Sequence, residues 1–236
     1  MNEILAQYAA ISSNDRVMDA GCGYGGSAIW LAKNIGCEVV GLNVVPYQIE
    51  EAKKFANRYG VSDKVDFQNQ DYSHTKFSDN SFDVIWGLES IVHAESKKDF
   101  IGEAFRLLKK NGRIVISEYM LRENPPLSHK EMEVISPWLI GWAMPSLLTP
   151  REYEILLEEA GFHHISVYDF TEKVYPSLKR LGKLSAVRFP IAKFLYILRI
   201  FSREHFRNVE ASLYQYIALN KGLWRYKVII ARKVRN

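Results

Sequence analysis

Residues 16–35, RVMDAGCGYGGSAIWLAKNI, constrain this chain more than any other stretch. The short apolar run RVMDA (16–20) ends on glycines, and SAIWLAKNI (27–35) takes up helical spacing directly after them. Glycine turns a chain through positive φ and lets another molecule lie against bare backbone. A strand that turns this way into a helix begins a strand–helix–strand unit, and such units build a parallel sheet covered on both faces. Ligands of open sheets of this kind sit beyond the carboxyl ends of the strands, which is where the glycine turn falls.

The following residues repeat the pattern. CEVVGLN (37–43), KVDFQNQD (64–71), FDVIWGLE (82–89) and GRIVISEYM (112–120) read as strands. PYQIEEAKKFANRYG (46–60) reads as a helix with Pro46 in its first turn and Gly60 past its end. KKDFIGEAFRLLKKNG (97–112) and PREYEILLEEAG (150–161) read as two more helices. Two further strands, HHISVYDF (163–170) and YKVIIARKV (226–234), are separated by about 55 residues of basic, aromatic, helical sequence. The expectation is one α/β domain over 1–236 with a doubly wound seven-stranded sheet. It is mostly parallel with an antiparallel final strand. Segments 121–148 and 171–225 form a helical lid that binds the acceptor.

The glycines fit two patterns. Gly21, Gly23 and Gly26 satisfy G-x-G-x-x-G, the dinucleotide fingerprint; Gly21, Gly23 and Gly25 follow Asp19 as D-x-G-x-G-x-G. A carboxylate at Asp19 repels a pyrophosphate by on the order of a kcal/mol or more at an effective dielectric near 20. It attracts an α-ammonium, and S-adenosylmethionine carries that ammonium and has no phosphate. Nicotinamide enzymes place an acid at the end of the second strand for the ribose. Here Asn43 stands there, with Gln48 five residues later, and both bond hydroxyls without charge. Asp71 and Tyr72, at the end of the third strand, suit the amino group and the face of an adenine. Leu88, at the end of the fourth, is included in the expected cofactor set.

On these residues the chain resembles the class I S-adenosylmethionine-dependent methyltransferases, with a Rossmann-like sheet, over nearly its whole length. VVGLNVVPYQIEEAKKFA is similar to the sterol C-methyltransferases, and LESIVHA followed by EAFRLLKKNGRIVISEYM resembles the sterol and tocopherol group. MPSLLTPREYEILLEEAGF and KGLWRYKVIIARK resemble tocopherol-type and natural-product enzymes. The resemblance implies that Asp19, Gly21, Gly23, Gly25, Asn43, Gln48, Asp71 and Tyr72 surround the cofactor. Sterol methyltransferases carry a long aromatic region before the glycine turn; about 15 residues stand there in this sequence, which suggests a shorter or more open acceptor site.

The transferred methyl should face the ends of the fourth and fifth strands, where Glu89, His93, Glu118 and Tyr119 fall. Positioning an acceptor in line in a dry pocket supplies much of the acceleration of such a displacement. A carbon acceptor leaves a cation that a carboxylate and aromatic faces stabilise until a base removes a proton. A hydroxyl acceptor makes His93 the natural base. Glu89, His93 and Glu118 are therefore the catalytic candidates. Each has a plain alternative: Glu89 as a loop tie, His93 as a structural donor and Glu118 as a solvated strand-end charge. The expected reaction is carbon methylation of a small terpenoid, prenyl or quinone-like acceptor, with O-methylation of a glycosylated or phenolic natural product as the second reading.

Charge is split unevenly along the chain. Lys173 to the end holds 15 Lys and Arg against two acids, Glu204 and Glu210, within a total net charge of +4. In RFPIAKFLYILRIFSREHFRNVE, read as one helix starting at Pro190, Lys193, Arg199, Arg203 and Arg207 share an arc of about 120°, largely opposed by Phe194, Leu195, Leu198 and Phe201. This face could be solvated, lie on an anionic membrane surface, or grip an acidic group of the acceptor. Nucleic acid is not an expected partner, because no recognition motif accompanies the charge. Cys22 and Cys37 make neither a disulfide framework nor a metal site. No apolar run reaches the length of a membrane span and no signal-peptide pattern opens the chain, so a cytoplasmic, membrane-associable protein is expected.

Overall fold

The computed structural model describes residues 1–234. Its elements run α1 (Asn2–Tyr8), β1 (Arg16–Ala20), α2 (Gly26–Asn34), β2 (Glu38–Asn43), α3 (Pro46–Tyr59), β3 (Val65–Asn69), β4 (Phe82–Leu88), a 3₁₀ turn (Ile91–His93), α4 (Lys97–Leu107) and β5 (Leu108–Leu121). There follow α5 (His129–Gly141), α6 (Pro150–Ala160), β6 (Phe162–Asp169), α7 (Thr171–Ile197), α8 (Arg203–Asn220) and β7 (Trp224–Lys233). The seven strands form one sheet in the order β3-β2-β1-β4-β5-β7-β6. It is mostly parallel with an antiparallel pairing, as expected from the sequence. Order reverses at β1, whose neighbours are β2 and β4, and the glycine turn leaves β1 at that reversal.

The chain divides into two compact units. The first is Met1–Glu118, Glu154–Val167 and Val228 onward; the second is Tyr119–Tyr153 and Tyr168–Lys227. In the first, Val17, Met18, Val84, Ile85, Trp86, Ile114 and Ile116 are sealed from solvent. Such near-continuous apolar strands are what a sheet covered on both faces requires. In the second, Tyr119, Trp138, Trp224 and Tyr226 meet edge-to-face or tilted, with centroids 5.0–5.5 Å apart. Helix α8 packs against both α5 and α7 there. All three helices lie within the 121–148 and 171–225 segments.

Two sequence expectations are corrected. The helix expected over 97–112 stops at Leu107: Leu108 is extended and pairs with Phe82 in the sheet. Asn111 at φ +65° and a bulge between the Phe82 and Val84 pairings then re-aim the strand. Pro190 does not start a helix; it lies inside α7, as does Pro176. The break comes later. Arg199 sits at φ +57°, its N–H bonds Tyr196 O at 2.9 Å, and Ile200 N–H reaches Leu195 O at 2.9 Å. This is a Schellman ending with arginine in the left-handed position. Ser202 then caps α8 by accepting the His205 N–H at 3.3 Å. Lys193, Arg199, Arg203 and Arg207 therefore belong to two helices and a turn, and the single basic arc does not exist.

Candidate functional site

The site is built on the ends of β1 to β4. Gly21 N–H and Cys22 N–H both donate to the Leu42 carbonyl at 2.9 Å, which folds the glycine turn over the end of β2. At Gly21, φ is +85° and a Cβ would stand 2.5 Å from Ser90 Cβ, so only glycine lets this turn close. At Gly23 a Cβ would meet nothing within 4 Å, and its bare backbone, with that of Gly21, lines a cavity of about 730 Å³. Gly25 lies behind the turn against Phe67, as the N-cap of α2, and does not line the cavity.

Asp19 ends up behind this turn, 3% exposed, and is not among the residues that line the cavity. Its carboxylate accepts the Ala28 N–H from the first turn of α2, and its Oδ2 is buried with no hydrogen-bond partner. Burial pushes its pKa up to about 7, against a smaller lowering by the Ala28 N–H. A buried carboxylate oxygen left unpaired costs free energy unless a cation or donor meets it.

The remaining walls come from the turns after β2, β3 and β4. Asn43 and Gln48 both line the cavity, and Asn43 Nδ2 donates to Gln48 Oε1 at 2.5 Å. Val44 and Val45 lie between them in sequence, exposed and apolar. Asp71 and Tyr72 line it after β3, with Asp71 Oδ1 accepting the Ser73 N–H at 2.8 Å. Tyr72 donates its hydroxyl to Ser90 O at 3.0 Å and meets Phe100 edge-on at 5.4 Å. Burial drives the Tyr72 phenol pKa far up, so it stays protonated. Leu88 closes β4, half-buried, and is not among the lining residues.

Glu89 and His93 both reach the cavity; Glu118 does not. Glu89 follows the last residue of β4 and sits at φ +53°, a strained conformation for a residue with a Cβ, held by its N–H bond to Ser117 O at 2.9 Å. His93 ends the 3₁₀ turn, its N–H bonded to Ser90 O at 3.1 Å. Glu118 is sealed from solvent; its Oε1 accepts Ile91 N–H at 2.6 Å and Val92 N–H at 3.4 Å. Burial lifts its pKa to about 8. Lys97, 4% exposed, grips the same turn by donating to Val92 O at 3.0 Å and Ala94 O at 2.8 Å.

Ser90 and Lys97 were not legible as site residues. Ser90 lines the cavity, donates its hydroxyl to Ala20 O and lies against Gly21. Its only sequence signal was its place in LESIVHA, directly after Glu89. Among the described lining residues are four carboxylates, Asp71, Glu89, Glu95 and Asp99, and neither lysine nor arginine. No group of three or more His, Cys, Asp or Glu among the described residues could hold a metal ion.

Residues 11–161 match the family described as "Methyltransferase domain". The chain belongs to that family. This methyltransferase-domain chain is 34% identical over 159 residues to a sterol 24-C-methyltransferase of Eremothecium gossypii, covering 67% of this chain and 43% of that one. It is 27% identical over 224 residues to a rice protein named "Probable tocopherol O-methyltransferase, chloroplastic", covering 92% and 60%. It thus spans about half the length of the curated relatives it matches. Among solved structures it resembles the geranyl diphosphate C-methyltransferase of Streptomyces coelicolor A3(2), in complex with Mg²⁺, geranyl diphosphate and S-adenosyl-L-homocysteine. The TM-score is 0.72 at 20% identity, over 99% of this chain and 78% of that one. At that identity the likeness concerns the methyltransferase fold.

Proposed function

We propose that this chain transfers the methyl group of S-adenosylmethionine to a small lipophilic acceptor. The observation that carries the proposal is the buried, partnerless Asp19 Oδ2 behind a glycine turn whose backbone is bare at Gly23. That pairing suits an ammonium held beside a group without phosphate. S-adenosylmethionine, when bound, supplies an electrophilic methyl on a sulfonium. In this reading Asp19 attracts the α-ammonium, the turn from Gly21 to Gly25 lets it approach, Asn43 and Gln48 take the ribose hydroxyls, and Asp71 and Tyr72 take the adenine. Leu88 and Gly25 act from behind, shaping the wall.

Glu89 is the proposed catalytic carboxylate. It lines the cavity at the end of β4, where a cation developing on a carbon acceptor meets its charge. His93 lines the same rim and is the proposed base when the acceptor is a hydroxyl. Glu118 is reassigned as a positioning residue: together with Lys97 it fixes the turn that carries His93. Four carboxylates and neither lysine nor arginine on the described walls favour an uncharged acceptor over a phosphorylated one. The sterol relative supports carbon methylation of a terpenoid, prenyl or quinone-like molecule, and the tocopherol relative keeps the O-methyl reading alive.

The test is mass spectrometry of lipid-extract acceptors for a gain of one methylene, followed by two variants on the acceptor so found. Glu89→Gln keeps shape and removes charge. For carbon methylation it should lower kcat by roughly 10² or more while S-adenosylmethionine affinity stays near wild type. An O-methyl acceptor should instead lose most with His93→Ala. Near-wild-type kcat in both variants overturns the assignment of chemistry to either residue.

A further inference from the structure

We propose that the exposed face of α7 docks the protein on an anionic lipid surface. The helix shows two opposite stripes. One is buried: Leu178, Gly182, Ser185 and Ala192, at spacings of four, three and seven, form a seam toward α8, where a Cβ on Gly182 would meet Tyr216. The other stripe is large, apolar and exposed. Leu184 is 44% exposed, Val187 70%, Ile191 59% and Phe194 60%. At ~100° per residue these four share an arc of about 80° on the side opposite the buried seam. Ile197, Leu198 and Ile200 prolong the apolar surface through the Schellman turn, each more than half exposed.

Cations border this stripe. On the same helical projection Lys183 flanks it on one side and Arg188 on the other, and both are exposed. From Lys173 to Arg203 the sequence holds eight Lys and Arg and no Asp or Glu. A continuous apolar patch of this kind marks an interaction surface. The charge decides which one. A second copy of the chain packed stripe to stripe sets Lys183 and Arg188 against like charges, whereas an anionic headgroup layer pairs with them while acyl chains receive Val187, Ile191 and Phe194. No helix among the described residues is long and apolar enough to cross a membrane, so α7 lies along the surface.

The test is sedimentation of the full chain with vesicles, without cofactor, so that its outcome is independent of the proposed reaction. Wild type should co-sediment with equimolar phosphatidylcholine–phosphatidylglycerol vesicles, bind phosphatidylcholine alone at least tenfold more weakly, and be released by salt. The single variants Ile191→Glu and Phe194→Glu, both at exposed positions, should lose at least tenfold in binding with unchanged circular dichroism and melting. Lys183→Gln with Arg188→Gln should remove most of the preference for the anionic vesicles. No binding by wild type, equal binding to both vesicles, or binding that survives both glutamate variants overturns the proposal. So does a concentration-dependent dimer in lipid-free ultracentrifugation that Ile191→Glu dissociates, since the stripe's occupant is then a second copy. If the glutamate variants unfold, Ile191→Ser and Phe194→Ser read the same loss without adding charge.

Discussion

Asp19 is asked to do two things that conflict. A carboxylate in a sealed position destabilises the free fold when ionised, yet its charge is what an ammonium ligand requires. Burial raises its pKa from 3.8 to about 7, so the folded state holds its proton more tightly than the unfolded chain. Stability from this group is full below the unfolded pKa and is lost as pH rises through 7. Asp19→Asn should therefore raise the melting temperature of the free protein at about pH 8, with the gain disappearing near pH 4. The same variant should weaken S-adenosylmethionine, by calorimetry, on the order of 1.5–3 kcal/mol, the worth of a charged hydrogen bond. Equal affinity in the two proteins removes Asp19 from the binding set. Glu118 has the same sign of pH dependence, its contribution falling progressively from the ordinary carboxylate pKa of 4.5 up to its folded pKa of about 8. Strand alternation explains why its role escaped the sequence: position at a strand end was legible, but the direction of its carboxylate, into the turn at Ile91 and Val92, was not.

At the scale of elements, the glycine turn and the strand ends were legible because each carries its own local chemistry: apolar runs, glycines, a proline at the start of α3. The stretch holding α7 and α8 read as helical, but the bounds of the two helices were not legible. Their junction uses Arg199 where a Schellman turn usually places glycine, and Pro190 sits mid-helix where proline usually marks a start. The packed face of α7 was hidden for a second reason. Apart from Leu178, its seam is made of the small residues Gly182, Ser185 and Ala192, which hydropathy marks weakly, while Phe194 and Leu198, which hydropathy marks strongly, face solvent. The seam is testable. A Cβ on Gly182 would lie 2.2 Å from Tyr216 Cγ, and backbone and ring must shift to admit it. Gly182→Ala should cost about 1–3 kcal/mol in urea unfolding despite alanine's better helix propensity. A neutral or stabilising result shows that the two helices do not meet tightly there.

For the whole molecule, the boundaries between the two compact units fall at 118/119, 153/154, 167/168 and 227/228, inside β5, α6, β6 and β7. The cavity lies entirely within the first unit. A ligand that binds only the folded cavity stabilises the chain by about 2.7 kcal/mol at a hundred times its Kd. For a chain of 236 residues each kcal/mol moves the midpoint by roughly 2–4 °C, so saturating S-adenosylmethionine should raise Tm by about 5–10 °C. S-adenosylhomocysteine keeps the ammonium and should act alike; NADH, which brings a pyrophosphate toward Asp19, should leave Tm unchanged. The shift should shrink at the same ligand concentration in Asp19→Asn, in proportion to its lost affinity. A shift with NADH and none with S-adenosylmethionine reverses the assignment of the glycine turn.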